Sequence, residues 1–196
     1  MNTKKLMFFF PCLLFATLLF SQPETQESIT QRLNQYFEAT KNKDWDAVID
    51  LLYPKLFELV PKEDMKQVFA DMEGNGMELN MKSFEILDIS APLVHEGQKY
   101  ALVGYTGAMN IRFTSQAYKE PEVIDMLKKS FQDGYGEENV SYQQVDNSFD
   151  LTLQKALFAI SPEDNNEWTF IESDMGEDEK LKQLIPESVK VSLLKE

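Results

Sequence analysis

The feature that most constrains this chain is a long run of strand period near its middle. Over residues 99–113 the odd positions Ala101, Val103, Tyr105, Gly107, Met109, Ile111 and Phe113 are mostly apolar. The even positions Gly104, Thr106, Ala108, Asn110 and Arg112 are smaller or polar. Period two is the signature of a strand that buries one face. The run is long, and Gly104 and Gly107 suit a bent or bulged strand, the device that curves a sheet.

Other strands flank it. Phe84 and Ile86 alternate with Glu85, and Leu87 and Ile89 flank Asp88, which predicts a strand limited by Pro92. His95-Glu96-Gly97-Gln98 predicts a turn into the long strand. Further on, Phe149, Leu151 and Leu153 alternate with Asp150 and Thr152, and the alternation resumes at Ala156, Phe158 and Ile160 on the other parity. One extra residue near Gln154-Lys155 accounts for that change of phase as a bulge. Residues 161–166 predict a turn, and Trp168-Thr169-Phe170-Ile171 a closing strand. The polar stretch before Asn147 receives no element.

Helical period dominates the first half. Ile29, Leu33, Tyr36, Phe37 and Thr40 share helical spacing. Asp44 is a suitable N-cap for a second helix carrying Trp45, Val48, Ile49 and Leu52, which Pro54 ends or kinks. A third helix is expected from Pro61, with Glu63 and Asp64 in its first turn and a stripe of Met65, Val68, Phe69 and Met72. Gly74-Asn75-Gly76 stops it. A fourth begins at Pro121, with Val123, Ile124, Leu127 and Phe131 on one side, and ends at Gly134-Tyr135-Gly136. A short helix is expected at residues 177–185, and no element is assigned after Pro186. Helices followed by strands indicate an α+β domain with a mainly antiparallel sheet.

The N-terminus reads as an address. Lys4 and Lys5 precede an uncharged apolar run over residues 6–20, and polar Ser21-Gln22-Pro23-Glu24 follows at once. The run is short for a spanning helix and contains Pro11, so residues 1–21 read as a cleaved signal peptide and 22–196 as one domain with a helical tail from about 175. The protein is therefore expected to be exported, periplasmic or secreted, with no membrane span after signal removal. Bulky Phe10-Pro11 before Cys12 argues against a lipoprotein site. Removal of the leader takes away Cys12, which excludes disulfides, thiol nucleophiles and thiolate metal sites. It also removes Lys4 and Lys5, so the formal charge of −14 becomes −16. So acidic a surface argues against nucleic-acid partners.

The remaining inventory narrows the chemistry. His95 is the single histidine and falls at a predicted turn, so neither a His-rich metal site nor a Ser-His-Asp triad is supported. The oxygen-rich segments at 164–167 and 174–179 do not fit a calcium loop, and Gly74-Asn75-Gly76 lacks the residues of a phosphate loop. No cofactor or metal is expected. Carboxylate and tyrosine chemistry, or simple binding, remain.

The order of elements resembles the nuclear transport factor 2-like superfamily with its cystatin-like cone. The residues that carry the resemblance are the N-terminal amphipathic helix followed by Lys43-Asp44-Trp45-Asp46-Ala47-Val48-Ile49 and Leu51-Leu52-Tyr53-Pro54, the glycine-containing strands, and Glu167-Trp168-Thr169-Phe170-Ile171. It covers about residues 27–174; the helix from Pro121 is then a helical insertion between strands. The resemblance implies N-terminal helices packed on a curved sheet forming a cone, an apolar pocket, and often a homodimer through the sheet. It does not choose between enzymes and binding proteins. The leading expectation is a non-catalytic domain that binds a small apolar molecule or a protein partner. Candidate pocket residues are Tyr36, Phe37, Tyr53, Phe57, Tyr105, Met109 and Phe158. The alternatives are an isomerase- or lyase-like enzyme using a pocket carboxylate and a tyrosine, and a dimerisation module. Tyr36, Tyr53, Tyr105 and Asn110 are the conceivable donors, and Asp50 and Asp150 the conceivable bases. An inward Asp or Glu within reach of an inward Tyr in an open pocket would favour the enzyme.

Overall fold

The computed structural model describes residues 21–174 and 182–194. Residues 1–20 of the expected leader, most of the helix expected at 177–185 and the side chain of Met72 lie outside the described residues.

Helix α1 runs Ser21–Asn42 and buries Ile29, Leu33 and Phe37, the expected stripe. Helix α2, Trp45–Leu51, starts where predicted because the Asp44 side chain accepts from the Ala47 amide at 3.2 Å. A 3₁₀ turn at Pro54–Glu58 leads to α3, Lys62–Gly74. The α3 stripe is only partly covered: Phe69 stacks on Trp45 at 4.5 Å, whereas Val68 is 56% exposed. Helix α4 runs Pro121–Tyr135 and ends at Gly136. A last helix, α5, spans Glu187–Leu193, in the tail for which the sequence pattern indicates no element.

The strands are β1 (Met77–Ile89), β2 (Leu93–His95), β3 (Gln98–Phe113), β4 (Val140–Gln143), β5 (Ser148–Pro162) and β6 (Thr169–Glu172). All pair antiparallel in one curled sheet of order β1-β3-β5-β4, with β2 added to β3 and β6 to β5. The domain is therefore α+β. The His95–Gln98 turn forms with Glu96 and Gly97 both left-handed, the backbone that a two-residue hairpin favours. Strand β1 is longer than predicted, starting at Met77, and β4 occupies the polar stretch left without an element.

Two expectations about bulges need correction. The register between β3 and β5 runs unbroken from Gln98 opposite Pro162 to Arg112 opposite Ser148, so there is no bulge at Gln154-Lys155. The irregularities lie in β1, between Met81 and Ser83 and between Ile86 and Asp88, facing the glycine-bearing part of β3. A Cβ at Gly107 would meet the Ser83 carbonyl oxygen at 3.1 Å and the Phe84 ring at 3.3 Å. The glycine thus admits the bulged partner strand rather than bulging itself.

The change of phase along β5 has a different cause, which is a change of cover. The odd residues of β3 and β5 form an inner face. At one end α1 covers it, packing Ile29, Leu33 and Phe37 on Ala101, Val103, Tyr105, Leu157 and Ala159. At the other end α4 covers it, with Ile124, Leu127 and Phe131 against Met109, Ile111, Phe149 and Leu151. The even residues Tyr100, Phe158 and Ile160 form an outer face that is also buried, under Ile185, Val189 and Leu193. From Leu157 to Ser161 both faces of β5 are therefore buried, and apolar residues appear on both parities. Away from α5 the outer face is polar: Asn110 donates to Asp150 at 2.8 Å and Arg112 to Glu78 at 2.9 Å.

Candidate functional site

Strand parity brings a carboxyl group inward. Phe170 pairs with Ala159 and Glu172 with Leu157, so both side chains project to the inner face. Tyr105 is on the same face of β3, opposite Lys155. Its hydroxyl donates to Glu172 Oε1 at 2.7 Å. Glu172 Oε2 is buried and has no hydrogen-bond partner, the one such side-chain atom among the described residues. A buried acceptor without a donor is costly, and native structures seldom leave one without a reason.

The environment sets the protonation states. Burial pushes the Glu172 carboxyl above the usual carboxylate range; the Tyr105 hydrogen bond and Lys155 pull it back, and Asp174 pushes it up again. Burial, followed by the Glu172 charge, raises both the Tyr36 and Tyr105 phenols well above their ordinary value. Both phenols are therefore hydrogen-bond donors at neutral pH.

Glu172 lines a small cavity of about 190 Å³. Its walls are apolar and come from four places. Tyr36 projects from α1, and its ring lies 5.7 Å from that of Phe170. Leu157 comes from β5, while Phe170 and Ile171 come from β6. Leu52 and Leu56 follow α2, held there by a parallel bridge between Leu52 and Phe170 and by the Tyr53 amide, which donates to the Phe170 carbonyl at 2.9 Å. Asp174 is the other acid at the cavity, 3.8 Å from Lys155 Nζ.

Other clefts are larger, among them two of about 720 and 540 Å³ whose buried polar groups are satisfied. In the first, buried Asn147 donates to the carbonyls of Phe113 and Tyr118 and accepts from the Tyr142 hydroxyl. In the second, Gln98 Oε1 accepts from both Tyr53 and Tyr100. Neither offers an unmet hydrogen-bonding group comparable to Glu172 Oε2.

The seven candidate pocket residues do not converge. Tyr36 lines the Glu172 cavity and Tyr105 holds its carboxyl. Phe37 is close by but is core, stacked on Phe84 at 4.0 Å. Met109 belongs to the cluster under α4. Tyr53 and Phe158 belong to the cluster under α5. Phe57 sits in the 3₁₀ turn with Lys62 Nζ 5.0 Å from its ring centre. The residues scatter because the inner face is covered by α1 at one end and α4 at the other, while the outer face is buried under α5 at one end. An apolar residue in a strand therefore does not identify the cover it serves. The conceivable bases are exposed: Asp50 accepts from Lys62 at 2.9 Å, and Asp150 from Asn110 and Gln143. Asn110 is committed to Asp150 and Ser148. His95 ends β2, paired with Gln98 across the hairpin turn and 3.8 Å from Glu96. The segment 164–167 is a hairpin connection in which Asn165 Oδ1 accepts from the Glu167 amide.

Glu172 is the residue that sequence reasoning missed, although a signal existed. Trp168, Phe170 and Glu172 share strand parity, and the first two are fully buried. A carboxyl in phase with two buried aromatics is directed at the core.

Comparison with protein-family models finds no match, and comparison with curated proteins finds no significant similarity.

The raised carboxyl pKa has a stability consequence. Below about pH 4 the group is protonated in both folded and unfolded chains. As pH rises, the unfolded chain releases this proton first, so the wild type loses stability until the folded group also ionises, and the penalty then stays constant. Glu172→Gln removes that penalty. The melting temperature of the variant relative to wild type is expected to be higher at pH 7 than at pH 4, measured by thermal denaturation at both. A difference that does not change with pH would contradict the assignment.

Proposed function

We propose that the chain is an exported small-molecule-binding domain of the nuclear transport factor 2-like cone type, with its binding pocket at the Glu172 cavity. One observation carries the reading. A residue lining an apolar cavity presents a buried carboxylate oxygen that nothing in the described chain satisfies. Binding pockets combine mostly apolar walls with a few placed polar groups, and this cavity has that composition. Export is supported by Lys4 and Lys5 ahead of the apolar run over residues 6–20. The cone assignment is supported by helices packed on the inner face of a curled antiparallel sheet. Among the described residues, no helix is long and apolar enough to cross a membrane.

An inward Glu172 bonded to an inward Tyr105 at a cavity is the arrangement expected to favour an enzyme. Binding is nevertheless preferred to catalysis because Tyr105 donates its proton to Glu172 and does not itself line the cavity. A second reading, acid/base chemistry, is favoured by the raised Glu172 carboxyl, which is how a general acid is prepared. Titration of toluene into ¹⁵N-labelled protein tests the pocket. Shifts should concentrate at Tyr36, Leu157 and Phe170 and vanish in Leu52→Trp, which fills the cavity from a half-buried wall. Shifts elsewhere, or none at saturating toluene, would contradict the reading.

A further inference from the structure

We infer that the Glu172 cavity takes a small primary ammonium ion carried on an apolar body, an inference that rests on the binding reading above. The argument begins with the orphaned oxygen. Glu172 Oε1 is satisfied by Tyr105, and Oε2 is buried without a donor. A neutral donor such as an alcohol would satisfy the hydrogen bond but leave the buried charge with only the more distant Lys155 to offset it. An ammonium group supplies both, through a charge-assisted hydrogen bond.

No cation in the described chain takes that place. Lys155, on the neighbouring strand, stands 3.8 Å from Asp174 and 5.8 Å from the Tyr135 ring centre, and forms no ion pair with Glu172. The cavity's other ionisable group of acid character is Asp174, so an anionic ligand would meet two carboxylates. Tyr36 and Phe170 present rings at the wall, and aromatic rings attract cations held in a desolvated site. The chain's formal charge of −14 draws cations towards the protein as a whole.

Size sets the body of the ligand. A cavity of roughly 150 Å³ lined by apolar groups admits benzene. At about 190 Å³ this one has space for a ring and one or two further heavy atoms. The apolar groups Leu52, Leu157 and Phe170 match such a body, with Glu172 at the polar end.

The experiment uses three probes of nearly equal shape: benzylamine, benzyl alcohol and toluene. Affinities are measured by NMR titration against the mature wild-type chain, Glu172→Gln and Leu52→Trp, each first checked for fold by circular dichroism. In wild type, benzylamine is expected to bind roughly ten- to hundredfold more tightly than benzyl alcohol, the span expected for one hydrogen bond to a charged group. Glu172→Gln should erase that preference while toluene binding stays, and Leu52→Trp should abolish all three. Equal binding of the three probes to wild type would overturn the ammonium inference and leave the pocket reading standing. A benzylamine preference that survives Glu172→Gln would overturn it too, by showing that the amine is held through surface charge. Failure of all three probes to bind would overturn the pocket reading and the inference together.

Discussion

Trp168→Ala is expected to cost the domain about 3–5 kcal/mol, the usual range for emptying a fully buried aromatic site. Trp168 is completely buried in the cluster between α1 and the inner face of the sheet. Its polar groups are also committed: Nε1 donates to Ser28 Oγ at 2.9 Å and its carbonyl accepts from Arg32 Nε at 3.3 Å. Both partners are on α1, so this residue ties the closing strand to the first helix across most of the chain's length. Truncation therefore leaves a cavity and removes the donor to Ser28 Oγ, which keeps only its own bond to the Thr25 carbonyl. For a domain of this size the loss corresponds to roughly 6–20 °C in melting temperature. Trp168→Phe, which keeps most of the ring volume and loses only the donor, should recover most of it. Thermal and urea denaturation of the three proteins check this. A Trp168→Ala protein within about 1 kcal/mol of wild type would mean that α1 is not held as described.

Val189→Asp should release α5 from the sheet. The helix has seven residues, and isolated helices shorter than about 12–15 residues are marginal in water, so its structure depends on docking. Val189 and Leu193 are the residues it buries, against an outer face that includes Tyr100, Phe158 and Ile160. An unpaired carboxylate at that position costs about 3–5 kcal/mol if it stays buried, so undocking is the cheaper outcome. Amide hydrogen exchange should show loss of protection at Lys190 and Leu194, whose amides donate to Pro186 and Lys190 carbonyls. The control is Val191→Asp on the exposed side of the same helix, where protection should persist. Equal protection in wild type and Val189→Asp would contradict the packing of α5.

These two positions also show what the sequence makes legible. Trp168 is legible from sequence because it opens the run Trp168-Thr169-Phe170-Ile171, which predicts the closing strand observed from Thr169. The caps are equally local: Asp44 starts α2, Pro121 starts α4 and Gly97 turns the hairpin, all through chemistry within a few residues. What depends on tertiary cover is not local. The phase change in β5 imitates a bulge because α5 covers the outer face of one half of the strand only. Nothing within β5 announces a helix that begins at Glu187. The candidate site was half legible for the same reason. Tyr105 and Tyr36 show in the periodicity, but doubly buried β5 also presents Phe158, and the turn after α2 presents Tyr53, both of which belong to the cluster under α5. Glu172 was missed because charged residues at strand ends are usually solvated. Its parity with Trp168 and Phe170 was the available clue.

The central claim is that the Glu172 carboxyl is buried at the cavity and bonded to Tyr105. It is tested most directly by following the Glu172 carboxyl carbon in ¹³C NMR as pH is varied. The account predicts a midpoint above the ordinary glutamate value of about 4.3, moving to lower pH in Leu157→Ala as water enters the cavity. A midpoint at or below the ordinary value, unchanged in that variant, would place the group in solvent and contradict the account.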